Sequence, residues 1–362
     1  MPKFIPGLEL NRSFYFDVVG PLLEKHCPGL QYSAGLVGHG SDVLGFDSPT
    51  SMDHDWGPRL HIFFSDLDFI SEKVKVDALL RKRLPTTYKG FSTNFVDGDY
   101  YLKHQPKIRK RGPVNHLFEF WTIRSYFQHY LGFDFTKTPS FKDWLLFPQQ
   151  ALIEVTAGHL YRDDLGVQKH RDRFNWYPDD IWKYMLRTQW GKISDELQSP
   201  ARTGEEGDEV GSMVIAARNI QKIMFMCFLL ERRYAPYGKW FGTAFQKWLR
   251  CSSDMYPQLL AILHEKNWKK RQQLLTKAYH TLGDMHNALN ITRPVAAAVG
   301  DFHGRGYKAL KVEDYIFALE EAIKNKELRN MHYPLGAIDQ FIDHARINHM
   351  DYVYTQLKDV IR

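Results

Sequence analysis

The pattern of hydrophobic and polar positions changes along the chain, and the change falls near residue 135. Before it, short apolar runs bounded by turn residues predict strands, and stretches with apolar residues every three or four positions predict helices. The predicted strands are residues 31–37, 59–64 and 114–121. The predicted helices are residues 8–25, 71–83 and 122–130, with Pro21 placed to kink the first. Strands that alternate with helices are typical of an α/β domain.

After residue 135 the apolar positions keep helical spacing and show no strand alternation. Residues 210–230 are apolar on nearly every face, which predicts the central helix of a bundle. The expected fold class is therefore α+β. A small α/β domain is expected at residues 1–135, followed by an all-α helical-bundle domain at residues 136–362.

The composition is that of a globular protein without a membrane span. Of the 362 residues, 44% are apolar and 25% are charged, and no run approaches the length that a membrane helix needs. The three cysteines are widely spaced, which argues against a disulfide framework or zinc site and fits a reducing cytoplasm. The net charge of +6 is small, so a nucleic-acid partner is possible but not favoured.

Two Asp-x-Asp pairs, Asp53/Asp55 and Asp66/Asp68, lie between the first and second predicted helices, and either could have a chemical role. Asp66 and Asp68 come directly after Ser65, where a strand gives way to a helix. Ser and Asp are preferred capping residues, and a negative charge in the first turn meets the positive end of the helix dipole. Helix capping therefore accounts for this pair.

Asp53 and Asp55 precede a predicted strand, so helix capping does not explain them. If this stretch is extended, both carboxylates lie on one face, where they repel each other unless a cation binds between them. Carboxylate oxygens are the ligands that Mg²⁺ prefers, and Mg²⁺ commonly also takes phosphate oxygens from a substrate. The alternative is a polar loop whose acids point to solvent.

A Gly38-His39-Gly40-Ser41 turn follows the first predicted strand, about a dozen residues before Asp53. Glycines there let backbone N–H groups approach an anion, and a helix beginning at Ser41 would direct its positive end at a phosphate. A lone Gly-x-Gly is a weak signal. A Gly-Ser turn followed by Asp-x-Asp is more specific, because it places a phosphate site beside a metal site.

The Gly40-Ser41 turn and the Asp53-His54-Asp55 run together resemble the signature of the nucleotidyltransferase superfamily, which includes DNA polymerase β and kanamycin nucleotidyltransferase. The resemblance implies a short mixed sheet with helices, a triphosphate held at Gly40 and Ser41, and Mg²⁺ held by Asp53 and Asp55. The superfamily usually has a third acid on a later strand, for which Glu119 is the best candidate. Asp97 and Asp99 flank a Gly and are better explained by a hairpin turn.

More of the chain resembles a bacterial family that contains a domain of unknown function, DUF4037. The residues that carry this resemblance include GLVGHGSDVLGFDSPTSMDHDWGPR, WYPDDIWKYML and LERRYAPYGKWFGTAF. In such enzymes the helical domain closes over the nucleotide and supplies the acceptor site. Lys239 is the candidate cation for the triphosphate, with a favourable cation near a helix end as the alternative. Asp208 or Glu209 either caps a helix or acts as a general base.

The function expected from these observations is Mg²⁺-dependent transfer of a nucleoside monophosphate from a nucleoside triphosphate, ATP in the first instance, to a hydroxyl acceptor, with release of pyrophosphate. Asp53, Asp55 and Glu119 are the expected catalytic and metal-binding residues, and a small molecule is the favoured acceptor. One alternative is a nucleotide-binding or partner-binding protein on the same fold without turnover. Another is a phosphohydrolase at an acidic metal site.

Overall fold

The computed structural model describes residues 2–96, 105–296, 299–301, 308–331 and 335–342. Contacts divide the chain into two compact units. The first unit comprises Met1–Thr138 and Ala151–Asn175, and the second comprises Pro139–Gln150 and Trp176–Arg362. The chain is α+β, with a short mixed sheet and many helices, as the sequence predicts.

The strands of the described residues are short. They are β1 (Tyr32–Val37), β2 (His61–Phe64), β3 (Thr87–Tyr88), β4 (Phe91–Ser92), β5 (Glu119–Thr122), β6 (Gly158–Asp163), β7 (Val299–Asp301) and β8 (Lys308–Leu310). The first unit contains a four-stranded sheet in the order β5-β2-β1-β6. In it β1 runs antiparallel to β2 and β6, while β2 and β5 are parallel.

The helices occur in both units. In chain order they are α1 (Gly7–Phe14), α2 (Gly20–His26), α3 (Asp66–Arg83), α4 (Ile123–Leu131), α5 (Phe141–Leu146), α6 (Gln149–Thr156), α7 (Val167–Asp172), α8 (Asp179–Glu196), α9 (Ser199–Glu205), α10 (Glu209–Leu230), α11 (Gly238–Trp248), α12 (Ser252–His264), α13 (Trp268–Ala288), α14 (Glu313–Ala322), α15 (Lys326–Arg329) and α16 (Ile338–Phe341).

The first predicted helix is interrupted by a wider turn just before Pro21. A π-helical segment, Tyr15–Val19, joins α1 to α2, and the N–H of Gly20 donates to the carbonyl of Tyr15. Pro21 follows in the first turn of α2. Proline lacks an N–H and its ring crowds the preceding turn, so a widened turn just before it lets the helix continue. The kink expected at Pro21 is therefore a π-helical turn.

The main core of the first unit lies between one face of the sheet and α1, α2 and α3. Its fully buried side chains include Phe14, Val19, Leu23, Ala34, Ile62, Phe64, Val76 and Leu80. Side chains alternate across a strand, so His61 and Phe63 of β2 face the other way. There the Phe63 ring meets Tyr126 of α4, with ring centroids 5.1 Å apart.

In the second unit α10 packs against α8, α9 and α13, which confirms its predicted place in the core. Among the described residues α10 is the helix long and apolar enough to cross a membrane by length and composition alone. Half of its most apolar stretch is buried inside the fold, as in the core helix of a globular protein. At its N-terminus the carboxylate of Asp208 accepts a hydrogen bond of 2.8 Å from the N–H of Gly211, so Asp208 caps the helix.

Several predicted element assignments need correction, among them the helix expected at residues 71–83, which begins at Asp66. Residues 136–362 were expected to be entirely helical, but they contain β6, β7 and β8. The strand expected at residues 59–64 begins only at His61, because the N–H of Arg59 donates to the side chain of Asn11 at 2.7 Å. The strand expected at residues 114–121 begins only at Glu119. Residues 343–362 of the predicted helical domain lie outside the described residues.

Candidate functional site

One edge of the four-stranded sheet gathers polar residues from several elements. The antiparallel pairing of β1 with β2, and the parallel pairing of β2 with β5, bring the end of β1 beside the starts of β2 and β5. In this register Gly35 lies opposite His61, and His61 lies opposite Glu119. The turn of residues 38–41, which follows β1, is therefore at the same edge as His61 and Glu119.

The glycine turn does not lead into a helix, contrary to the sequence prediction. The N–H of Phe46 donates to the carbonyl of Ser41 at 2.8 Å, and that of Leu44 donates to Gly40 at 3.3 Å. These bonds form consecutive turns over residues 41–45, and Gly45 then takes a left-handed backbone with φ +70°. A helix dipole is consequently not available at Ser41, and the turn itself has to supply any anion-binding N–H groups.

Beneath this turn lies a buried ion pair that the sequence did not predict. The Arg59 guanidinium donates to both carboxylate oxygens of Asp42, at 3.1 and 2.8 Å, and to the carbonyl of His39 at 2.7 Å. Both charged side chains are at most 3% exposed. Burial alone would lower the pKa of Arg59, but the Asp42 carboxylate outweighs this and raises it. Arg59 thus joins the glycine turn to the entry of β2.

Gly38 and Gly40 fit this turn because a side chain would not. Gly38 has φ +82°, and a Cβ there would collide with the Tyr130 hydroxyl and lie 3.0 Å from Cε1 of His61. Gly40 has φ +129°, and a Cβ would collide with Asp42 and Arg59. Glycine is thus required at both positions by close approach as well as by backbone conformation.

Replacing Gly38 with Ala is expected to destabilise the first unit by about 2–3 kcal/mol, because it adds overpacking against Tyr130 to left-handed backbone strain. Urea unfolding measured by circular dichroism gives the change. Gly45→Ala is the matched control, since Gly45 also has positive φ but open space around its Cα. Tyr130→Phe in the Gly38→Ala background should recover part of the loss. An equal cost for the Gly38 and Gly45 variants would contradict the crowding.

Glu119 lies at the start of β5 and points to a buried histidine. Its carboxylate oxygen Oε1 is 3.6 Å from Nε2 of His61, and its side chain is 35% exposed. The indole N–H of Trp121 donates to Nδ1 of His61 at 3.0 Å, so the neutral ring carries its proton on Nε2, facing Glu119. Burial lowers the pKa of His61 well below its usual value, and Arg59 lowers it further.

Asp53 and Asp55 lie in a loop and not on a strand. A short 3₁₀ helix, Pro49–Ser51, leads into a turn at Asp53 and a bend at Asp55, and Asp55 has φ +48°. The expected alternation that would place both carboxylates on one face is therefore absent. Asp53 is 66% exposed and pairs with Nδ1 of His54 at 2.9 Å.

The predicted metal ligands are not assembled. Over the part of the chain that the structure describes, no group of three or more His, Cys, Asp or Glu is arranged to hold a metal ion. Asp53, Asp55 and Glu119 all lie in that part, and they are not gathered into such a group. The loop is instead fixed by Asp47, whose carboxylate accepts from the N–H of Gly7 at 2.7 Å and the indole of Trp56 at 2.9 Å.

The remaining predicted residues have simple placements. Ser65 caps α3 by accepting from the N–H of Asp68 at 3.1 Å, which confirms the capping interpretation of the second acidic pair. Lys239 lies in the first turn of α11 in the second unit, with its ammonium 5.0 Å from the ring centre of Trp240. Asp97 and Asp99 lie outside the described residues.

Comparisons with known proteins bear on one part of the chain. Residues 144–241 match the model of the DUF4037 family, described as a domain of unknown function. The resemblance to DUF4037 is confirmed over this segment. The segment contains Lys239. The other candidate site residues precede it, namely Gly40, Ser41, Asp53, Asp55 and Glu119. No curated protein matches the sequence.

A solved structure with some similarity is the crystal structure of a nucleotidyltransferase-like protein from Exiguobacterium sibiricum 255-15, at 1.90 Å resolution. The sequence identity is 9%, the match covers 82% of each chain, and the TM-score is 0.31. Similarity this low identifies neither the fold nor the activity of the present chain.

Proposed function

We propose that the chain binds a nucleoside triphosphate, ATP in the first instance, at the edge of the sheet and transfers its nucleotidyl group to a hydroxyl acceptor. The observation that supports this is the meeting of a glycine turn after β1 with a carboxylate at the start of β5. The backbone of Gly40 and the hydroxyl of Ser41 would bind phosphate oxygens, while Arg59 holds the turn in place from below.

In the proposed reaction, the acceptor oxygen bonds to the α-phosphorus as the bond to the β-phosphate oxygen breaks, and pyrophosphate leaves. Glu119 is the carboxylate at this edge that could accept the hydroxyl proton. Oε1 of Glu119 lies 3.6 Å from the protonated Nε2 of His61, which has no hydrogen-bond partner among the described residues, so a small closing movement would give a hydrogen bond that orients the carboxylate. A small molecule as the acceptor belongs to the same proposal.

A second candidate, nucleotide binding without turnover, is favoured by one observation. The three carboxylates expected to hold Mg²⁺ do not form a metal-binding group in the described residues. A domain on this fold that keeps the phosphate turn and lacks the metal site would bind nucleotide and leave it intact. The two candidates differ in whether pyrophosphate is released.

Melting temperatures measured with ATP, GTP, CTP and UTP, each with and without Mg²⁺, test the binding. A ligand present at about 100 times its dissociation constant should stabilise the protein by about 2.7 kcal/mol, which raises the melting temperature measurably. Ser41→Ala should weaken a nucleotide-dependent rise. If Asp53→Asn/Asp55→Asn removes only the Mg²⁺-dependent part, the loop acids bind metal once nucleotide is present.

The control for the loop acids is the other acidic pair, Asp66→Asn/Asp68→Asn, which should leave the nucleotide-dependent rise unchanged. Pyrophosphate release in mixtures of nucleotide and hydroxyl compounds then separates transfer from binding alone, with Glu119→Gln as the variant that should bind nucleotide and fail to react. The absence of any nucleotide-dependent rise would contradict both candidates.

A further inference from the structure

Helix α3 has an apolar stripe on its outer face. Leu67, Ile70 and Val74 are 80%, 81% and 74% exposed. Residues at these spacings lie on one side of a helix, so the three side chains form a continuous row. Single exposed apolar residues are common in proteins, whereas adjacent large ones that are each exposed by three quarters or so are typical of a surface that binds a partner.

The inner face of α3 does not need these residues, because it already has its own apolar set. Val76 and Leu80 are fully buried, and Phe69 and Leu79 pack against the same core. Leu67, Ile70 and Val74 therefore cannot be explained as members of the core of the first unit. Full burial of each would contribute on the order of 1.5–3 kcal/mol.

The charges beside the stripe are arranged in two opposite groups. Asp66 and Asp68 flank Leu67, and Lys73 and Lys75 flank Val74 two turns later. Ile70 lies between the two groups. If a second α3 helix lies antiparallel to the first and is centred on Ile70, its Lys73-Val74-Lys75 segment lies opposite Asp66-Leu67-Asp68 of the first helix, and the reverse holds at the other end. Such a surface is complementary to a second copy of itself in the antiparallel orientation, the self-complementarity that two-fold symmetry requires.

We propose that α3 is an interface at which two copies of this chain associate with their helices antiparallel. Leu67 packs against the partner's Val74, and Ile70 lies near the two-fold axis. The acids around Leu67 then face the partner's Lys73 and the partner's Lys75. The second Asp-x-Asp pair thus has two uses, since Asp68 hydrogen-bonds the capping Ser65 at 2.6 Å and also contributes charge to the interface.

The lysines can take part at little cost to the monomer. Lys75 is 68% exposed although it pairs with Glu72 at 2.8 Å, and the Lys73 ammonium lies 4.7 Å from the ring centre of Phe69. Surface pairs of this kind contribute little to the stability of a chain, so they rearrange readily when a partner arrives. A single helix pair buries less area than a standard interface, so the dimer should dissociate on dilution.

Sedimentation velocity over a range of concentrations tests the proposal on the full chain. The wild type should pass from monomer to dimer as its concentration rises. Lys73→Glu/Lys75→Glu places acids opposite acids, and Asp66→Lys/Asp68→Lys places lysines opposite lysines. Each should raise the dissociation constant at least about tenfold, since like charges across an interface oppose association. An equimolar mixture of the two variants should dimerise again, because every facing pair is then of opposite sign.

The apolar contribution is tested by Leu67→Ser/Ile70→Ser/Val74→Ser, which should be monomeric at every concentration. The matched control is Val210→Ser/Val214→Ser on α10, which replaces residues of comparable exposure, 74% and 54%, and should leave the dimer unchanged. Far-UV circular dichroism establishes that each variant keeps its helices.

Three results would overturn the proposal: a wild type that stays monomeric at every concentration, a dimer that the α3 variants do not weaken, or a charge-variant mixture that fails to associate. A dimer lost through the α10 variant alone would move the interface to that helix.

Discussion

Replacing Arg59 with Met is expected to lower the free energy of unfolding of the first unit by about 3–5 kcal/mol, because it leaves the buried Asp42 carboxylate without its counter-ion. The substitution also removes the hydrogen bond that Arg59 donates to the carbonyl of His39. Chemical unfolding in urea, measured by circular dichroism, gives the change. The turn of residues 38–41 should loosen in parallel, so any nucleotide affinity of the variant should fall.

The control for this change is Arg124→Met. Arg124 forms an ion pair of 3.2 Å with Asp134, but its side chain is 55% exposed. Solvent screens such a pair, so its loss should cost less than about 1 kcal/mol. Removing Asp42 and Arg59 together should cost less than the sum of the two single changes, because neither charge is then left unpaired. If Arg59→Met costs no more than Arg124→Met, the proposed importance of the buried pair is wrong.

Acid should destabilise the second unit through His286. This side chain is fully buried, and its Nδ1 accepts a hydrogen bond of 3.3 Å from the indole N–H of Trp190. Its Nε2 lies 3.1 Å from the hydroxyl of Thr292. A second proton on the ring would face the indole N–H of Trp190, donor against donor. Burial accordingly lowers the pKa of His286 to about 4.

The sign of the effect follows from the lowered pKa. The unfolded chain takes up a proton near pH 6.5, while the folded chain resists it until about pH 4. Above pH 6.5 His286 therefore does not reduce the free energy of unfolding. As the pH falls from 6.5 toward 4, this group lowers the free energy of unfolding by about 3 kcal/mol. His286→Gln keeps an acceptor for Trp190 and a donor for Thr292, and it cannot gain a charge.

Melting temperatures of the wild type and His286→Gln, compared from pH 8 to pH 4, measure this contribution. The wild type should lose more stability than the variant as the pH falls, and the difference between them isolates the histidine from all other titrating groups. Parallel curves would show that His286 is not responsible.

Local patterns were enough to predict much of the fold. The helix at α4 and the strand β1 occur within a residue or two of their predicted bounds. The caps at Ser65 and Asp208 follow from residue type and position alone. These features depend on neighbours in the sequence, which is why the sequence reveals them.

The parts that were missed depend on distant contacts. The Arg59–Asp42 pair joins a turn to a strand entry, and no short motif marks it. Strand β6 has mostly half-exposed side chains and little hydrophobic alternation, and it is specified by its pairing with β1. The candidate site was also predicted only in part, because its geometry depends on contacts between residues that are distant in the sequence. The sequence placed Glu119 on a strand correctly, but the conformation around Asp55 is set by packing of the whole loop.

The pairing of β6 with β1 also affects how the chain reaches its native state. β6 lies more than a hundred residues beyond β1, and β1 is buried along its whole length. When only the first 135 residues have emerged from the ribosome, the four-stranded sheet therefore still lacks β6. Until β6 emerges, the flank of β1 is an unpaired edge open to other chains. A chaperone that binds during synthesis would protect the chain most in this interval, and a fragment ending at residue 135 would carry the same exposed edge permanently.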